Sequence, residues 1–257
     1  AGDNLSYDLS LQLKMAPIEG DAVLRGNEEN LSFYTDSIYI DQARSGVNTG
    51  GKMSRKRTLH DLRAVAKARQ SEWWARMFDE QFFMYLSGSR GTNADFIFPS
   101  DYTGRANNSF ASSDTEHVLK STIGAGADGT IEADDKMSLT LIDRAVARAT
   151  MMGGGTEGTP QIQPIMVDGE EHFVVVMNPW QEYDLRTNAS SGEWLDIQKA
   201  SASAEGRKNP IFKGSLGMYN NVVLHSHKSV IRDTIDTTPS ARALFLGEQA
   251  AVCAFGS

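Results

Sequence analysis

The chain has 257 residues, 40% hydrophobic and 23% charged, a composition typical of one large globular domain or two small ones. Its formal net charge of −8 argues against a broad nucleic-acid-binding surface, although local basic patches remain possible. The single cysteine, Cys253, excludes intramolecular disulfides, and its apolar surroundings predict a small buried side chain. No apolar run approaches the ~20 residues of a membrane-spanning helix, and no secretory signal opens the chain.

The first forty residues predict an extended two-stranded ribbon. Residues 5–14 alternate strictly between apolar and polar side chains, which is the pattern of a half-buried strand. Residues 31–43 are rich in aromatic and β-branched side chains and predict the returning strand, after a charged connection that contains glycine. Because an isolated two-stranded ribbon is at best marginally stable, we expect its apolar side to need a partner.

A long helix is predicted at about 58–87, since neither proline nor glycine interrupts these residues. Thr58 as N-cap with Asp61 three residues later forms a variant of the capping box, and Gly88 is a natural stop. Such a helix would reach about 45 Å. Its first half carries one apolar stripe and predicts a surface helix. Its second half, in SEWWARMFDEQFFMYLSG, carries aromatic residues round most of the circumference and predicts an enclosed segment.

A mixed domain is predicted after the polar loop of residues 89–136, whose length is typical of functional loops. A helix at about 138–152 is followed by a hairpin with Asp168-Gly169 at its turn, the strongest short-range hairpin signal. Residues 180–206 predict a short helix, a loop and a second helix. Two strand-like runs follow, and the last one could also be helical at GEQAA. The order of elements indicates an α+β fold.

Two histidines are the first candidates for chemistry. His225 and His227 lie on the same side of a predicted strand, where a metal could use them. A third ligand at a recognisable spacing is missing, and a structural or solvated role is the commoner one for such a pair. The glycine-rich residues 153–158 lack the Lys-Ser/Thr of a phosphate-binding loop and end a helix rather than begin one, so a flexible turn is favoured.

Paired carboxylates are the second candidates. Asp134-Asp135 and Glu170-Glu171 could perform acid–base chemistry, but adjacent side chains point apart, and solvated charge is the default interpretation. The sequence therefore predicts no catalytic, cofactor-binding or metal-binding residues, and no cofactor. The segment SRKRTLHDLR has five basic residues in ten positions but no interleaved aromatic residues. A solvated helix start, or a surface facing acidic neighbours, is favoured there over nucleic-acid binding.

The order of four segments resembles a family of viral shell proteins. They are GNEENLSFYTDSIYIDQARSGV, RTLHDLRAVAKARQSEWWARMFDEQFFMYLSG, HFVVVMNPWQEYDLR and NPIFKGSLGMYNNVVLHSH. Together they are similar to major capsid proteins of tailed bacteriophages, in the branch related to coliphage N-four, whose fold is the Hong Kong 97 type. Members of this family normally begin with an N-terminal arm and finish with a strand returning to the peripheral domain. Neither is visible here, so we expect the chain to be trimmed from a longer protein or those segments to be omitted.

The resemblance implies an α+β subunit with a peripheral (P) domain, an axial (A) domain and an extended β-ribbon called the E-loop. Residues 1–13 would begin the P-domain strand and residues 14–50 would form the E-loop. Residues 51–136 would form the P domain, with its spine helix at about 58–87 and the long loop. Residues 137–257 would form the axial domain. A neighbouring subunit would cover the apolar face of the E-loop.

The resemblance also implies a structural protein and not an enzyme. It would self-assemble as pentamers and hexamers into the icosahedral phage head enclosing double-stranded DNA, in the virion, after assembly in the host bacterial cytoplasm. Its partners would be copies of itself, portal and scaffolding proteins and in some cases a decoration protein. Contact with packaged DNA would be weak and non-specific, and no membrane would be involved. The residues that crosslink the founding member's shell cannot be matched here.

Three alternatives remain open from the sequence. An encapsulin-like nanocompartment shell protein would share the fold but would need a groove for cargo peptides. An enzyme with a dispersed site, using Asp134, Asp135, His225 or His227, would need these side chains to meet in one pocket. A surface-binding module is the third alternative.

Overall fold

The computed structural model describes residues 4–10, 13–57, 60–105, 107–111, 113, 117–121, 130–152, 162–188 and 214–256. The chain begins with β1 (Asn4–Ser10) and β2 (Phe33–Tyr39), followed by α1 (Lys52–Arg57), α2 (Leu62–Ser87), β3 (Gly104–Arg105), β4 (Asn108–Ser109) and α3 (Leu139–Met151). It continues with β5 (Ile165–Val167), β6 (Glu170–Met177), α4 (Pro179–Asn188), β7 (Gly217–Tyr219), β8 (Val222–Ser226), β9 (Arg232–Ile235), β10 (Thr238–Ala241) and β11 (Leu244–Leu246).

The predicted ribbon is confirmed. β1 and β2 pair antiparallel, with Ser10 opposite Phe33 at one end and Asn4 opposite Tyr39 at the other. β2 is shorter than the predicted strand of residues 31–43, and β1 is described as far as Ser10. Tyr7 and Leu9, which share one face of β1, are only half-buried, so the ribbon keeps much of its surface in solvent.

The long helix begins at Leu62, four residues later than predicted. Asp61 is its N-cap, because its carboxylate accepts hydrogen bonds from the backbone N–H groups of Arg63 and Ala64 at 3.0 and 3.2 Å. Thr58 lies outside the described residues, and the short α1 before it was not predicted. At the other end Gly88 adopts the left-handed conformation, with φ at 65°, and ends the helix as predicted. The 26 residues of α2 span about 39 Å.

The prediction that the second half of α2 is enclosed is wrong. Buried residues recur every three or four positions on one stripe: Met77, Glu80, Gln81, Phe83, Met84 and Ser87. On the opposite side Phe78 and Phe82 are 46% and 49% exposed. Aromatic residues therefore lie on both faces of α2, but the chain fully buries only one of them.

The loop after α2 is organised by one buried arginine. The guanidinium of Arg90 donates hydrogen bonds to the carbonyl of Phe98 at 2.7 Å and to that of Asn93 at 3.0 Å, and it lies over the Phe96 ring. Burial lowers the pKa of Arg90, although it remains a cation at neutral pH. The loop is therefore held by side chain-to-backbone hydrogen bonds, with the small β3–β4 hairpin within it.

A five-stranded sheet forms the second half of the fold. Its order is β11-β6-β8-β7, and β5 pairs with β6. β6 and β8 run parallel, whereas the other pairs are antiparallel. The predicted hairpin is confirmed: β5 and β6 are joined by Asp168 and Gly169, whose φ angles are 52° and 86°. β9 and β10 form a separate hairpin.

Two other predictions for this half hold and one does not. The helix predicted at about 138–152 is α3, with Ser138 as its N-cap, and the short helix is α4. The second helix falls within residues 189–213, outside the described part. GEQAA is not helical, and the prediction that Cys253 is buried is wrong, because β11 pairs with β6 only as far as Leu246 and the following residues leave the sheet.

The core has two main parts. One face of the sheet packs on α3 and α4, through Met137, Ile142, Ala149, Phe173, Val175, Met177, Leu185, Val222 and Leu224. The end of α2 supplies Phe83 and Met84 to a second cluster with Val230, Ile231 and Leu244. α2 is thus fixed to the sheet domain at its C-terminal end, while its first half carries mostly exposed side chains.

Candidate assembly surface

The ribbon and the segments that follow its strands expose an unusual number of large apolar side chains. Those more than two-fifths exposed between residues 4 and 53 are Leu5, Leu13, Met15, Val23, Leu24, Leu31, Phe33, Tyr39, Val47 and Met53. Single exposed apolar residues are ordinary, but a series along one element marks an interaction site. We therefore consider the ribbon a candidate assembly surface.

The ribbon's register is fixed by polar pairs as well as by backbone bonds. The Tyr7 hydroxyl donates to the carboxylate of Asp36, its direct cross-strand neighbour, at 3.0 Å. Thr35 donates in the same way to Asp8 at 2.6 Å. Partial burial, together with the hydrogen bond to Asp36, raises the pKa of Tyr7 to about 12. These pairs stabilise the ribbon without covering its apolar residues.

The far end of the ribbon, residues 17–30, is acidic, and we call it the acidic tip. It contains four Asp and Glu against one Arg. Glu29 accepts hydrogen bonds from the backbone N–H groups of Lys14 and Met15, which hold its pKa below the usual range. Glu28 accepts from the N–H of Gly26 at 2.7 Å. Two of the four carboxylates therefore shape the tip itself.

The outer face of α2 carries a second apolar surface. Trp74 and Phe78 lie with ring centroids 6.0 Å apart, and Phe78 meets Phe255 edge-on at 6.1 Å. Phe82 continues the row one turn further on. We call these four residues the aromatic ridge. Phe78, Phe82 and Phe255 are exposed by 46%, 49% and 76%, so another molecule can reach them.

A basic groove lies beside the first half of α2. Residues 45–49 run along the helix and leave a cavity of about 360 Å³, lined by Val47 and Ala66 and by the basic side chains of Arg63 and Lys67. Arg63 and Lys67 are exposed, and neither forms an ion pair with a carboxylate in the part of the chain that the structure describes. Arg63 is the last residue of the basic stretch SRKRTLHDLR, and Lys67 lies one helical turn beyond it.

One buried carboxylate fixes α2 to the following loop. Glu80 is only 1% exposed, yet it accepts a hydrogen bond from the backbone N–H of Ile97 at 2.7 Å and one from Arg76 at 3.1 Å. Burying an ionised carboxylate is costly unless it is hydrogen-bonded and paired, as it is here. Nothing in the sequence pattern indicates this role, because Glu80 lies in an aromatic-rich segment that predicts only burial.

The histidines considered for metal binding have other neighbours. The ring of His227 stacks on Phe83 at 4.9 Å, and its Nδ1 accepts a hydrogen bond from the N–H of Ser229. His225 lies at the end of β8 and is half-buried. Within the described residues, no three His, Cys, Asp or Glu side chains are close enough together to hold a metal ion.

The acidic candidates form no metal-binding group with the histidines among the described residues. The Asp135 carboxylate accepts a hydrogen bond from the N–H of Glu132, and Asp134 is exposed. Glu170 and Glu171 are exposed beside the hairpin turn. A cavity of about 1760 Å³ is lined by Asp135 but not by Asp134 or the two histidines. Residues 153–158 lie outside the described part.

No helix among the described residues is both long and apolar enough to cross a membrane.

Comparison with known proteins gives consistent results. The model of a phage capsid protein family matches residues 1–257. The chain is 26% identical over 239 residues to the major capsid protein of Pseudomonas phage KPP25, covering 88% of this chain but 59% of that protein. The chain therefore spans about three-fifths of that curated relative's length.

Solved structures extend the likeness to the fold. The capsid of Ralstonia phage GP4 superimposes with a TM-score of 0.84 at 47% identity, over 97% of this chain and 69% of that one. The capsid of cyanophage Pam1 has a TM-score of 0.62 at 22% identity, over 90% of this chain and 63% of that one, a likeness of fold alone. These matches confirm the predicted α+β fold of the Hong Kong 97 type. The chain belongs to the phage capsid protein family.

Proposed function

We propose that the chain is the shell-forming part of a major capsid protein, which self-assembles as pentamers and hexamers into an icosahedral phage head around double-stranded DNA. The observation that carries the proposal is the apolar surface of the ribbon, exposed along its length in a member of the phage capsid family. A soluble monomer gains nothing from such a surface, whereas a shell subunit buries it against its neighbours.

In this proposal residues 14–50 act as the E-loop, and its apolar side chains are covered by an adjacent copy. α2 acts as the spine helix of a P domain over residues 51–136, fixed at its aromatic end and open to neighbours along its outer face. Residues 137–257 act as the axial domain, whose loops meet around the fivefold and sixfold axes. Many such contacts, each modest in free energy, add up to a stable closed shell.

The role is structural rather than enzymatic, and its place is the virion, after assembly in the cytoplasm of the host bacterium. Besides copies of itself, the protein contacts portal and scaffolding proteins. Its net charge of −8 makes contact with the packaged DNA weak and non-specific. A shell that held its DNA too tightly would slow the ejection of the genome. A negatively charged subunit repels DNA and therefore does not hold it tightly.

Sedimentation velocity of the full-length protein, combined with negative-stain electron microscopy, tests this function. We expect closed shells, or pentamers and hexamers that close when scaffold is supplied. A protein that remains monomeric with scaffold present contradicts the proposal. Shells that hold a protein cargo and no nucleic acid would instead identify a nanocompartment.

A further inference from the structure

We infer that Asn108 is a positioning residue that sets the direction in which the ribbon leaves the subunit, and with it the geometry of the closed shell. This inference rests on the proposed function, in which the ribbon contacts an adjacent copy, and it names the residue that orients the ribbon. Its action is indirect, because Asn108 holds Tyr39, the last residue of β2, and the rest of the ribbon extends from there.

One side chain makes the polar attachment of the ribbon to the rest of the subunit. The Asn108 amide accepts the N–H of Tyr39 at 2.9 Å and donates to its carbonyl at 2.7 Å. Among the described residues, no other hydrogen bond and no ion pair joins residues 4–40 to the rest of the chain. Because two hydrogen bonds to one residue restrict its orientation as well as its distance, Asn108 fixes an angle at the ribbon base.

A second contact at the ribbon base is apolar. The C-terminal segment lies against Ile40, the residue after Tyr39, since a Cβ at Gly256 would lie 2.9 Å from the Ile40 side chain. Apolar burial is non-directional, whereas a hydrogen bond weakens steeply when it is bent. The C-terminal segment therefore helps to hold the base in place, while the Asn108 amide determines the angle.

Asn108 is itself fixed to the long helix. It lies in the β3–β4 hairpin, directly opposite Arg105. The Tyr85 hydroxyl of α2 donates to the Asn108 carbonyl at 2.7 Å and accepts the Arg105 N–H at 2.8 Å. The Arg105 guanidinium donates to the side chain of the buried Gln81 at 3.0 Å, one turn earlier on the same helix. A series of hydrogen bonds therefore connects α2 to the hairpin and the hairpin to Tyr39, so that the ribbon is oriented relative to α2.

A small change of angle at the base becomes a large displacement at the far end. The paired strands run from Tyr39 to Phe33, about 20 Å of ribbon. A rotation of about 10° at Tyr39 moves the Phe33 end by about 3–4 Å over that length, and it moves the acidic tip beyond it further. Contacts between copies close into a ring or shell only when the rotation from one copy to the next is the right one. The angle of the ribbon therefore enters the geometry of the shell.

Asn108→Ala in the full-length protein tests this role, with electron microscopy for the particle diameter and a thermal melt for the subunit fold. Tyr85→Phe is a second variant, which keeps the ring that packs on Phe110 at 5.0 Å but removes the hydroxyl that holds Asn108. Asn108→Asp keeps the acceptor for the Tyr39 N–H and loses the donor. Ser109→Ala, an exposed change next to Asn108 in the same hairpin, is the matched control.

We expect Asn108→Ala to widen the distribution of particle diameters about twofold or more, or to leave open sheets, while the melt stays within a few degrees of wild type. Tyr85→Phe should change the particles in the same direction, Asn108→Asp should be intermediate, and the control should not differ. Asn108→Ala shells of wild-type diameter would overturn the inference and leave the proposed function intact. A melt far below that of wild type would also overturn it, because Asn108 would then serve folding. A wild-type chain that never assembles, even with scaffold, would overturn both.

Discussion

The side-chain amide of Asn108 pairs with the backbone of Tyr39 as a neighbouring strand would. Its Oδ1 accepts the N–H of Tyr39 at 2.9 Å, and its Nδ2 donates to the carbonyl of Tyr39 at 2.7 Å. The Tyr85 hydroxyl of α2 in turn donates to the Asn108 carbonyl at 2.7 Å. The base of the ribbon is therefore tied to the β3–β4 hairpin, and through it to the long helix.

We predict that Asn108→Ala loosens the base of the ribbon. Both hydrogen bonds to Tyr39 are lost, at a cost of about 1 kcal/mol in the free energy of unfolding. The clearest measurement is hydrogen exchange at the Tyr39 amide, which should lose protection. Asn108→Asp keeps the acceptor but not the donor and should give an intermediate result. Asn30→Ala, an exposed change in the tip, is the control. Unchanged protection at Tyr39 in Asn108→Ala would show that this pair does not hold the ribbon.

Glu80 gives a second prediction, on stability. Glu80→Ala leaves the part-buried N–H of Ile97 without its acceptor and removes a buried carboxylate, and should lower the free energy of unfolding by about 2–3 kcal/mol. Glu72→Ala on the same helix removes an exposed ion pair with Arg69 and should cost about 0.5 kcal/mol or less. Chemical denaturation of both variants checks the difference, and equal costs would contradict the anchoring role of Glu80.

The two faces of α2 give a third prediction. Phe83 is buried and stacked on His227, so Phe83→Ala should cost about 3–5 kcal/mol of folding free energy. Phe78 belongs to the exposed aromatic ridge, and Phe78→Ala should cost about 1 kcal/mol or less while weakening assembly. Thermal melts and sedimentation velocity separate the two effects. A large loss of folding stability in Phe78→Ala would mean that the ridge is part of the subunit core.

Tyr7 gives a prediction on pH. Its folded-state pKa of about 12 lies above the ordinary tyrosine value of about 10. Because the folded-state pKa is raised, protonated Tyr7 contributes to the free energy of unfolding. This contribution is fully present below about pH 10 and is lost as the pH rises through about 12. In an absorbance titration of phenolate formation, Tyr7→Phe should remove one tyrosine from those that ionise at the highest pH. Loss of a group that titrates near the ordinary value would show that Tyr7 is not paired with Asp36.

Removal of the acidic tip gives a fifth prediction. Deletion of residues 19–29 shortens the ribbon beyond its paired strands, so circular dichroism and thermal melts should remain close to wild type. Shell closure, by contrast, should fail in electron microscopy, because the ribbon no longer reaches the adjacent copy. Loss of folding together with loss of assembly would contradict the division between ribbon and body.

Local patterns predicted those elements whose geometry is set by local chemistry. Strict alternation identified β1, and Asp168-Gly169 identified the β5–β6 turn, since both residues adopt positive φ there. The β9–β10 hairpin escaped notice because its turn is formed by Asp236 and Thr237, with φ at 51° and 69° and no glycine. A β-branched residue rarely adopts this conformation.

Tertiary contacts stabilise this turn despite the unfavourable φ of Thr237, and a local sequence pattern carries no information about such contacts. The Asp236 carboxylate accepts a hydrogen bond from the N–H of Ile131 at 3.0 Å and one from Lys120 at 2.9 Å. These bonds hold the pKa of Asp236 below its usual range. The partners lie more than a hundred residues away along the chain.

The assembly surface was only partly visible in the sequence. The basic stretch and the acidic connection stand out as charge runs, but only the fold shows that Arg63 and Lys67 line one groove with Val47. Aromatic residues on both faces of α2 indicated burial by the chain itself. Periodicity measures apolar character, and it cannot distinguish burial within a subunit from burial between subunits.

Cryo-electron microscopy of particles formed by the full-length protein would show whether a neighbouring copy covers the ribbon. We expect density from that copy over the exposed apolar residues of the ribbon, including Val23, Leu24 and Phe33. A particle in which each ribbon folds back on its own subunit, or leaves these residues in solvent, would contradict it.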